Sequence, residues 1–314
     1  MKRLLAVAAL AATVLMPATA SAFCRTWSCD PRKEACPPDP DNAACNPGGV
    51  AGKHKRLFWP QKCIGFSLNQ SASTQLGTKA YDVFEKVADT AFLQWQEVDC
   101  GGGKKPTIAF ADLGAAECDR HEYNSSQANA NLLVFKKTWP YQGSENQLAL
   151  TTLTFNVDSG EIYDADIEIN DTKKITVGDT AIENDFASIL THEAGHFLGL
   201  GHSPDGDATM YREYAPKSTS MRDLSEDDRR GVCSIYPPDR VDLPECNPIP
   251  RHGLGTKCEV PITNDKGSCS VAATCADDET GKKTCAMGPR DRSGVPFALL
   301  AMGAAVAWMR RRRA

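Results

Sequence analysis

The sequence predicts an α+β fold, and two patterns in its central part support this prediction. Several short runs are rich in β-branched and aromatic residues or alternate apolar with polar residues, as strands do. Longer runs instead repeat apolar residues at the spacing of an amphipathic helix. With 314 residues, 41% of them hydrophobic, the chain is long enough for one substantial domain with further segments at its ends.

The predicted elements follow one another between about residues 58 and 238. Strands are predicted at 63–69, 107–113, 131–137, 147–157 and 161–170, the last two joined by a turn at 158–160. Helices are predicted at 78–98, at 183–198 and after Ser225, where the sequence SEDD supplies an N-cap and an acidic first turn. The pair Pro237-Pro238 then marks the end of this region.

The first 22 residues have the pattern of a cleaved secretory signal. Lys2 and Arg3 precede an apolar run, and the small residues Ala20 and Ala22 provide a cleavage site. We therefore expect a secreted protein whose fold begins after residue 22.

The last residues, 286–314, form a hydrophobic tail. An uncharged stretch over 294–309 is followed by four arginines at 310–313, but it is shorter than the about 20 apolar residues of a membrane-spanning helix. The tail resembles the C-terminal sorting tails of myxobacterial surface proteins, which implies transient membrane or cell-surface anchoring of an extracellular bacterial protein. A buried terminal helix is the alternative interpretation.

The thirteen cysteines all lie beyond the signal, and in a secreted chain they predict a disulfide framework. Because their number is odd, one is left over, and Cys285 is the candidate. The four cysteines from Cys246 to Cys275 could then form two bridges among themselves and the other eight could form four. Connectivity cannot be read from the sequence.

The charge of the mature chain excludes one class of partner. Without the signal and the tail, 27 basic and 39 acidic residues remain. A nucleic acid would need a basic face, so we expect no nucleic-acid partner.

The motif THEAGHFLGLGHS at residues 191–203 has the spacing of a metal site. His192 and His196 are four residues apart, so on a helix they share one face and can ligate one ion. Gly199 allows the helix to end and the chain to turn. That turn would bring His202 back as a third ligand.

Three histidine ligands favour a catalytic zinc ion, because the fourth tetrahedral position stays open for water. Neutral imidazoles leave the full charge of the ion to act on that water, which lowers its pKa. Glu193 follows the first ligand and can act as general base, accepting the water's proton and passing it to a leaving amine. These are the groups that peptide hydrolysis needs.

The signature H-E-x-x-H-x-x-G-x-x-H resembles that of the metzincin peptidases. Ser203 after the third histidine, Met210 at the position of the methionine turn, and the sequence LSEDDRRGVCSIYP at 224–237 resemble the matrixin branch. The resemblance implies a zincin-like domain with a twisted, mostly parallel sheet, two long helices and a C-terminal helix. It also implies that Met210 forms a floor beneath the metal and is not a ligand. Arg212 departs from the family, which usually has proline there.

The same resemblance implies that a protein or peptide substrate binds in extended form along a strand at 161–170. Asp164 and Asp166 in this strand could hold calcium, but the alternative is that these acids face solvent, and we leave a calcium site unsupported. Upstream of the motif only His54 and His121 are available, so we expect one catalytic zinc and no second zinc site.

We therefore expect a monomeric, secreted zinc endopeptidase, either extracellular or anchored at the cell surface. The expected organisation is a signal peptide at 1–22, a Cys/Pro-rich segment at 23–57, a catalytic domain at 58–238, a small Cys-rich module at 239–285 and the sorting tail at 286–314. The alternative is a surface or adhesion protein that binds zinc and has lost turnover. Loss of the general base would indicate it, and Glu193 is present.

Overall fold

The computed structural model describes residues 23–29, 34–241 and 243–258, and the backbone of two strands at 268–277 and 283–288. The predicted signal peptide and sorting tail lie outside the described residues. Among the helices of the described residues, none has the length and hydrophobicity needed to cross a membrane.

Three α-helices and twelve strands make up the regular structure of the described residues. The helices are α1 (Ala80–Gln96), α2 (Phe186–Phe197) and α3 (Glu226–Ile235), with short 3-10 helices at Thr74–Leu76 and Ser220–Arg222. The strands are β1 (Cys24–Arg25), β2 (Cys63–Asn69), β3 (Ala109–Ala116), β4 (Leu132–Lys136), β5 (Ala149–Asn156), β6 (Ile162–Asn170), β7 (Ile175–Thr176), β8 (Asn184–Asp185), β9 (Leu200–Gly201), β10 (Glu213–Tyr214), β11 (Ser268–Asp277) and β12 (Lys283–Gly288). The predicted α+β fold is confirmed.

The second helix begins three residues later than predicted because Asp185 caps it. The Asp185 carboxylate accepts hydrogen bonds from the backbone N–H and the hydroxyl of Ser188, at 2.9 and 2.8 Å. An aspartate in this position satisfies a backbone donor that has no partner within the helix. The cap therefore fixes where α2 begins. We call α2 the motif helix because it carries His192 and His196.

The central sheet contains five strands in the order β5-β6-β4-β2-β3. Strand β2 runs parallel to β3 and to β4, and β4 runs parallel to β6, whereas β5 is antiparallel to β6. The prediction of a mostly parallel sheet is confirmed for these strands. Beyond β5 the sheet continues through β11 and β12 to β10, with β11 antiparallel to β5.

Helices α1 and α2 pack against each other on one face of the sheet. The side chains of Phe84, Phe92 and Trp95 on α1 are fully buried there, and the Trp95 ring donates a hydrogen bond to the Thr191 carbonyl at 2.9 Å. Gly195 of α2 lies against the same tryptophan, because a Cβ atom at this residue would be 2.8 Å from the Trp95 ring. Close packing thus holds the motif helix in position.

The sequence-based prediction that the strand at 161–170 borders the substrate cleft is wrong. The observed strand β6 lies between β4 and β5. The turn after β5 reverses the chain so that β6 pairs with β5 on one side and with β4 on the other. Strand β6 is therefore paired on both sides and offers no free edge to an added strand.

The acids of β6 do not face solvent, contrary to the favoured alternative. Asp164 and Asp166 are each only 1% exposed, and the backbone N–H of Leu132 donates to Asp166 at 2.8 Å. The two carboxyl groups are hydrogen-bonded to each other, and burial raises the pKa of both. The alternation of acidic and apolar residues along β6 does not indicate a solvent-exposed face, because both faces of this strand are covered.

Five disulfides confirm the predicted framework. They are Cys24–Cys45, Cys29–Cys36, Cys63–Cys246, Cys100–Cys233 and Cys118–Cys258. The suggestion that the four cysteines from Cys246 to Cys275 form bridges only among themselves is wrong. Cys246 is bonded to Cys63 of β2, and Cys258 is bonded to Cys118, which follows β3. The side chains of Cys269, Cys275 and Cys285 lie outside the described residues.

We predict that Gly195→Ala destabilises the fold. The new methyl group would lie 2.2 Å from the Met210 sulfur, and such overpacking costs about 1–3 kcal/mol. Equilibrium unfolding in denaturant measures the effect, with Gly206→Ala as the control, because a Cβ atom there meets no atom within 4 Å. Equal unfolding free energies for the two variants would contradict the packing argument.

We also predict that Asp164→Asn changes how stability depends on pH. In the folded protein the raised pKa favours the protonated acid, so folding free energy is lost as pH rises above the unfolded pKa of about 4. Asparagine does not titrate, so the variant should gain stability relative to the parent as pH rises from about 4 to about 8, the pKa of Asp164 in the folded protein, in calcium-free buffer. Thermal unfolding measures this. The exposed Asp158→Asn is the control, and a difference that does not vary with pH would refute the prediction.

Candidate metal centre

A sharp turn after α2 brings the third histidine of the motif back to the helix. The turn is at Gly199, whose φ is 90°, a conformation that L side chains rarely adopt. A Cβ atom at this position would also lie 2.8 Å from the Leu57 carbonyl oxygen. Both conditions require glycine, and together they place His202 beside α2.

The three imidazoles converge on one point. Ring centroids are 4.7 Å apart for His192 and His196, 5.3 Å for His192 and His202, and 4.7 Å for His196 and His202. The Nε2 atoms of His196 and His202 are 3.1 Å apart. One ring nitrogen from each residue lies within 4.8 Å of the others, so all three can contact a single ion.

Hydrogen bonds fix which nitrogen is free to bind. Nδ1 of His192 lies 2.7 Å from the Thr209 carbonyl and Nδ1 of His196 lies 2.9 Å from the Leu200 carbonyl. Because a carbonyl only accepts, each Nδ1 carries the proton and each Nε2 keeps a lone pair. Within the described residues the buried Nε2 of His192 has no hydrogen-bond partner, which is costly unless a cation binds there.

The charge state of the rings also fits a zinc ion. Burial lowers the pKa of His192 to about 4 and lowers the pKa values of His196 and His202 well below the usual histidine value. The rings are therefore neutral at physiological pH, the form in which imidazole ligates zinc. Three neutral nitrogen donors match the donor set of a catalytic zinc site.

Glu193 is buried next to this centre and is held by a residue that the sequence analysis missed. Its carboxylate oxygen accepts a hydrogen bond from the Thr151 hydroxyl at 2.5 Å. Burial raises the pKa of Glu193 to about 8, and the Thr151 hydrogen bond acts in the opposite direction. Thr151 lies on β5, 42 residues before Glu193, and a threonine in a strand gives no signal of this role.

Met210 lies under α2, where its sulfur faces Gly195. The residue is 2% exposed. Its backbone carbonyl accepts a hydrogen bond from the Ser203 N–H at 2.8 Å, so the loop after the third histidine closes on itself. Met210 therefore packs against the helix that carries His192 and His196.

Helix α3 fixes the same loop through two acids that the sequence analysis treated only as capping residues. Asp228 accepts hydrogen bonds from the backbone N–H groups of Thr209 and Met210, at 2.7 and 3.0 Å. Asp227 accepts from the Ser203 hydroxyl at 2.7 Å. The acidic first turn of α3 therefore anchors the segment beneath the histidines as well as capping its own helix.

Two cavities flank the centre. A small apolar one of about 10 Å³ lies beside His192 and Glu193 and is also lined by Leu148, Tyr214 and Met221. A larger one of about 720 Å³ borders His202 and separates the loop that follows it from the N-terminal segment. Of the three histidines and Glu193, only His202 lines the larger cavity.

Comparisons with known proteins place the chain in a family. The family model described as matrixin matches residues 58–237. The chain is 41% identical to rat matrix metalloproteinase-16 over 207 residues, which are 64% of this chain and 30% of that protein. It is 30% identical to human matrix metalloproteinase-20 over 142 residues, 45% of this chain and 28% of that protein.

A plant relative extends the same similarity. The chain is 28% identical to metalloendoproteinase 1 of Glycine max over 179 residues, 53% of this chain and 52% of that protein. The chain spans between 28% and 52% of the length of these three relatives. Since the family model covers more than half of the sequence and includes every residue of the centre, the chain belongs to the matrixin family.

Proposed function

We propose that the protein is a secreted zinc endopeptidase that hydrolyses peptide bonds in proteins or peptides. The observation that carries the proposal is the convergence of three neutral imidazoles beside the buried carboxylate of Glu193. A bound zinc ion would supply Lewis-acid polarisation of the peptide carbonyl and would acidify a water molecule. Membership of the matrixin family supports the same reaction.

Each residue of the centre has a separate proposed role. His192, His196 and His202 would hold the ion through Nε2, with Nδ1 fixed by backbone carbonyls for the first two. Glu193 would accept the proton of the attacking water and deliver it to the leaving amine. Met210 would support the histidines from below and is not proposed as a ligand.

An extended substrate would bind along β5. This strand carries Thr151 beside Glu193, so a chain paired with β5 passes next to the general base. Pairing of β11 with β5 over Leu150–Asn156 supports the proposal, because it indicates that this edge accepts an antiparallel strand. Substrate would take the place of β11 and gain main-chain hydrogen bonds.

Secretion is supported by the predicted signal at residues 1–22 and by five disulfides, which persist in oxidising compartments. The proposed catalytic domain at 58–238 is supported by the matrixin match over residues 58–237. Anchoring through residues 286–314 remains part of the proposal and rests on the sequence pattern alone. The Cys-rich segment at 239–285 is tied to the domain through Cys246 and Cys258.

We predict that Glu193→Gln removes activity and retains zinc. The amide keeps the shape of the side chain but cannot accept a proton, so kcat/KM for casein-derived fluorogenic peptides should fall by about 10²–10⁴-fold. Metal analysis should still find one zinc ion per chain. A chelator should abolish cleavage by the parent protein, and added zinc should restore it.

Two outcomes would contradict this assignment. Undiminished cleavage by Glu193→Gln would exclude the carboxylate as general base. A zinc-loaded parent protein that cleaves no peptide would favour the alternative of a silent zinc-bearing surface protein.

We predict that Thr151→Val lowers kcat, because the Thr151 hydroxyl positions the Glu193 carboxylate. Loss of a hydrogen bond to a charged group should reduce kcat about tenfold. Thr151→Ser keeps the hydroxyl and should restore kcat. Equal losses in the valine and serine variants would indicate a packing effect instead.

A further inference from the structure

The N-terminal segment at 23–57 contacts the turn that carries the third histidine, although it precedes the residues matched by the family model. Strand β1 of this segment pairs antiparallel with β9, which ends one residue before His202. Directly after β1, the Thr26 N–H donates to the Gly199 carbonyl at 2.9 Å. The segment is thus hydrogen-bonded to the chain that connects His196 to His202.

One backbone carbonyl receives hydrogen bonds both from a metal ligand and from the N-terminal segment. The Leu200 carbonyl oxygen accepts one from Nδ1 of His196 at 2.9 Å and another from the Thr26 hydroxyl at 3.1 Å. A carbonyl oxygen has two lone pairs, so it can accept both at once. The partner of the second ring nitrogen sets the orientation of a ligating histidine. The orientation of the His196 ring therefore depends on where the Thr26 hydroxyl holds this oxygen.

Thr26 is itself held from two sides. It is 2% exposed, and its backbone carbonyl accepts a hydrogen bond from the Leu57 N–H at 2.8 Å. The disulfide Cys24–Cys45 joins β1 to the distant part of the N-terminal segment. A side chain that packing and hydrogen bonds already fix can position a second group with little further loss of conformational freedom.

We propose that Thr26 is a positioning residue of the metal centre, which holds the Leu200 carbonyl so that Nε2 of His196 stays directed at the point where the three imidazoles converge. The N-terminal segment is then a part of the zinc site as well as a disulfide-bonded extension. The inference rests on the proposed zinc centre but does not require peptide cleavage.

The expected size of the effect follows from the distance of Thr26 from the ion. Groups that hydrogen-bond directly to a metal-bound histidine typically contribute roughly 10–100-fold to metal affinity. Thr26 acts on His196 through one intermediate group, the Leu200 carbonyl. We therefore expect an effect at the lower end of this range.

The test measures the zinc affinity of the full secreted protein by competition with a chromogenic chelator. Thr26→Val keeps the shape of the side chain and removes the hydroxyl, so the Kd for zinc should rise about tenfold. Thr26→Ala also removes the hydroxyl and should raise the Kd in the same direction. Thr26→Ser keeps the hydroxyl and should restore the Kd of the parent protein.

Two control variants separate this effect from a general loss of packing. Ser28→Ala removes another hydroxyl of the same segment, which accepts a hydrogen bond from the Lys55 N–H at 3.0 Å. Thr107→Val makes the same chemical change where the hydroxyl donates to the Pro237 carbonyl at 2.9 Å. Both variants should keep the zinc Kd of the parent protein. Unfolding of the metal-free proteins in denaturant shows how much stability each variant has lost.

A nuclear magnetic resonance signal reports on His196 directly. Its Nδ1–H resonance should shift in Thr26→Val, because the oxygen that accepts this proton has lost its second donor. The Nδ1–H of His192 donates to the Thr209 carbonyl, and its resonance should not move. Equal shifts of the two resonances would indicate a general disturbance of the centre and would contradict the proposal.

The possible failures are distinguishable. A parent protein that binds no zinc would overturn the proposed function and this inference with it. Zinc binding without peptide cleavage would overturn the peptidase assignment alone. An unchanged zinc Kd in Thr26→Val and Thr26→Ala would overturn the inference alone, and so would an equal rise in Thr26→Ser or in Ser28→Ala.

Discussion

The metal centre depends on the turn at Gly199. A helix can supply two ligands four residues apart, but the third must come from chain that has reversed its direction. The reversal needs a positive φ and leaves no room for a side chain beside the Leu57 carbonyl. It is held from outside, since β1 pairs with β9 and the Thr26 N–H donates to the Gly199 carbonyl at 2.9 Å. The N-terminal segment thereby supports the turn that positions His202.

A second constraint joins the C-terminal helix to the centre. Asp228 binds the two backbone N–H groups of the segment that carries Met210, and the Met210 sulfur in turn packs against Gly195 of the motif helix. A change in the first turn of α3 would therefore reach the histidines through one intermediate residue. This connection gives a physical reason why the sequence around Ser225 and the histidine motif occur together in one fold.

Burial of the three histidines and of Glu193 also shifts their pKa values. Removing imidazoles from water disfavours the charged form, so they remain available as ligands. Removing the carboxylate of Glu193 from water raises its affinity for a proton, which suits a group that must both accept and release one. Thr151 limits the effect by donating to the carboxylate. The centre thus combines three neutral imidazole nitrogens with a carboxyl group that can accept a proton, and all of these groups are buried.

The sequence by itself determined the α+β class, the motif helix and the three candidate ligands, because these follow from local periodicity and from spacing along one helix. Tertiary structure alone decided the rest. Thr151 meets Glu193 only when β5 and α2 pack together, and Asp164 and Asp166 are buried only because both faces of β6 are covered. Pairing of Cys63 with Cys246, 183 residues apart, likewise depends on how distant segments meet. Local patterns carry no information about such contacts, since they arise from the packing of elements and not from the elements themselves.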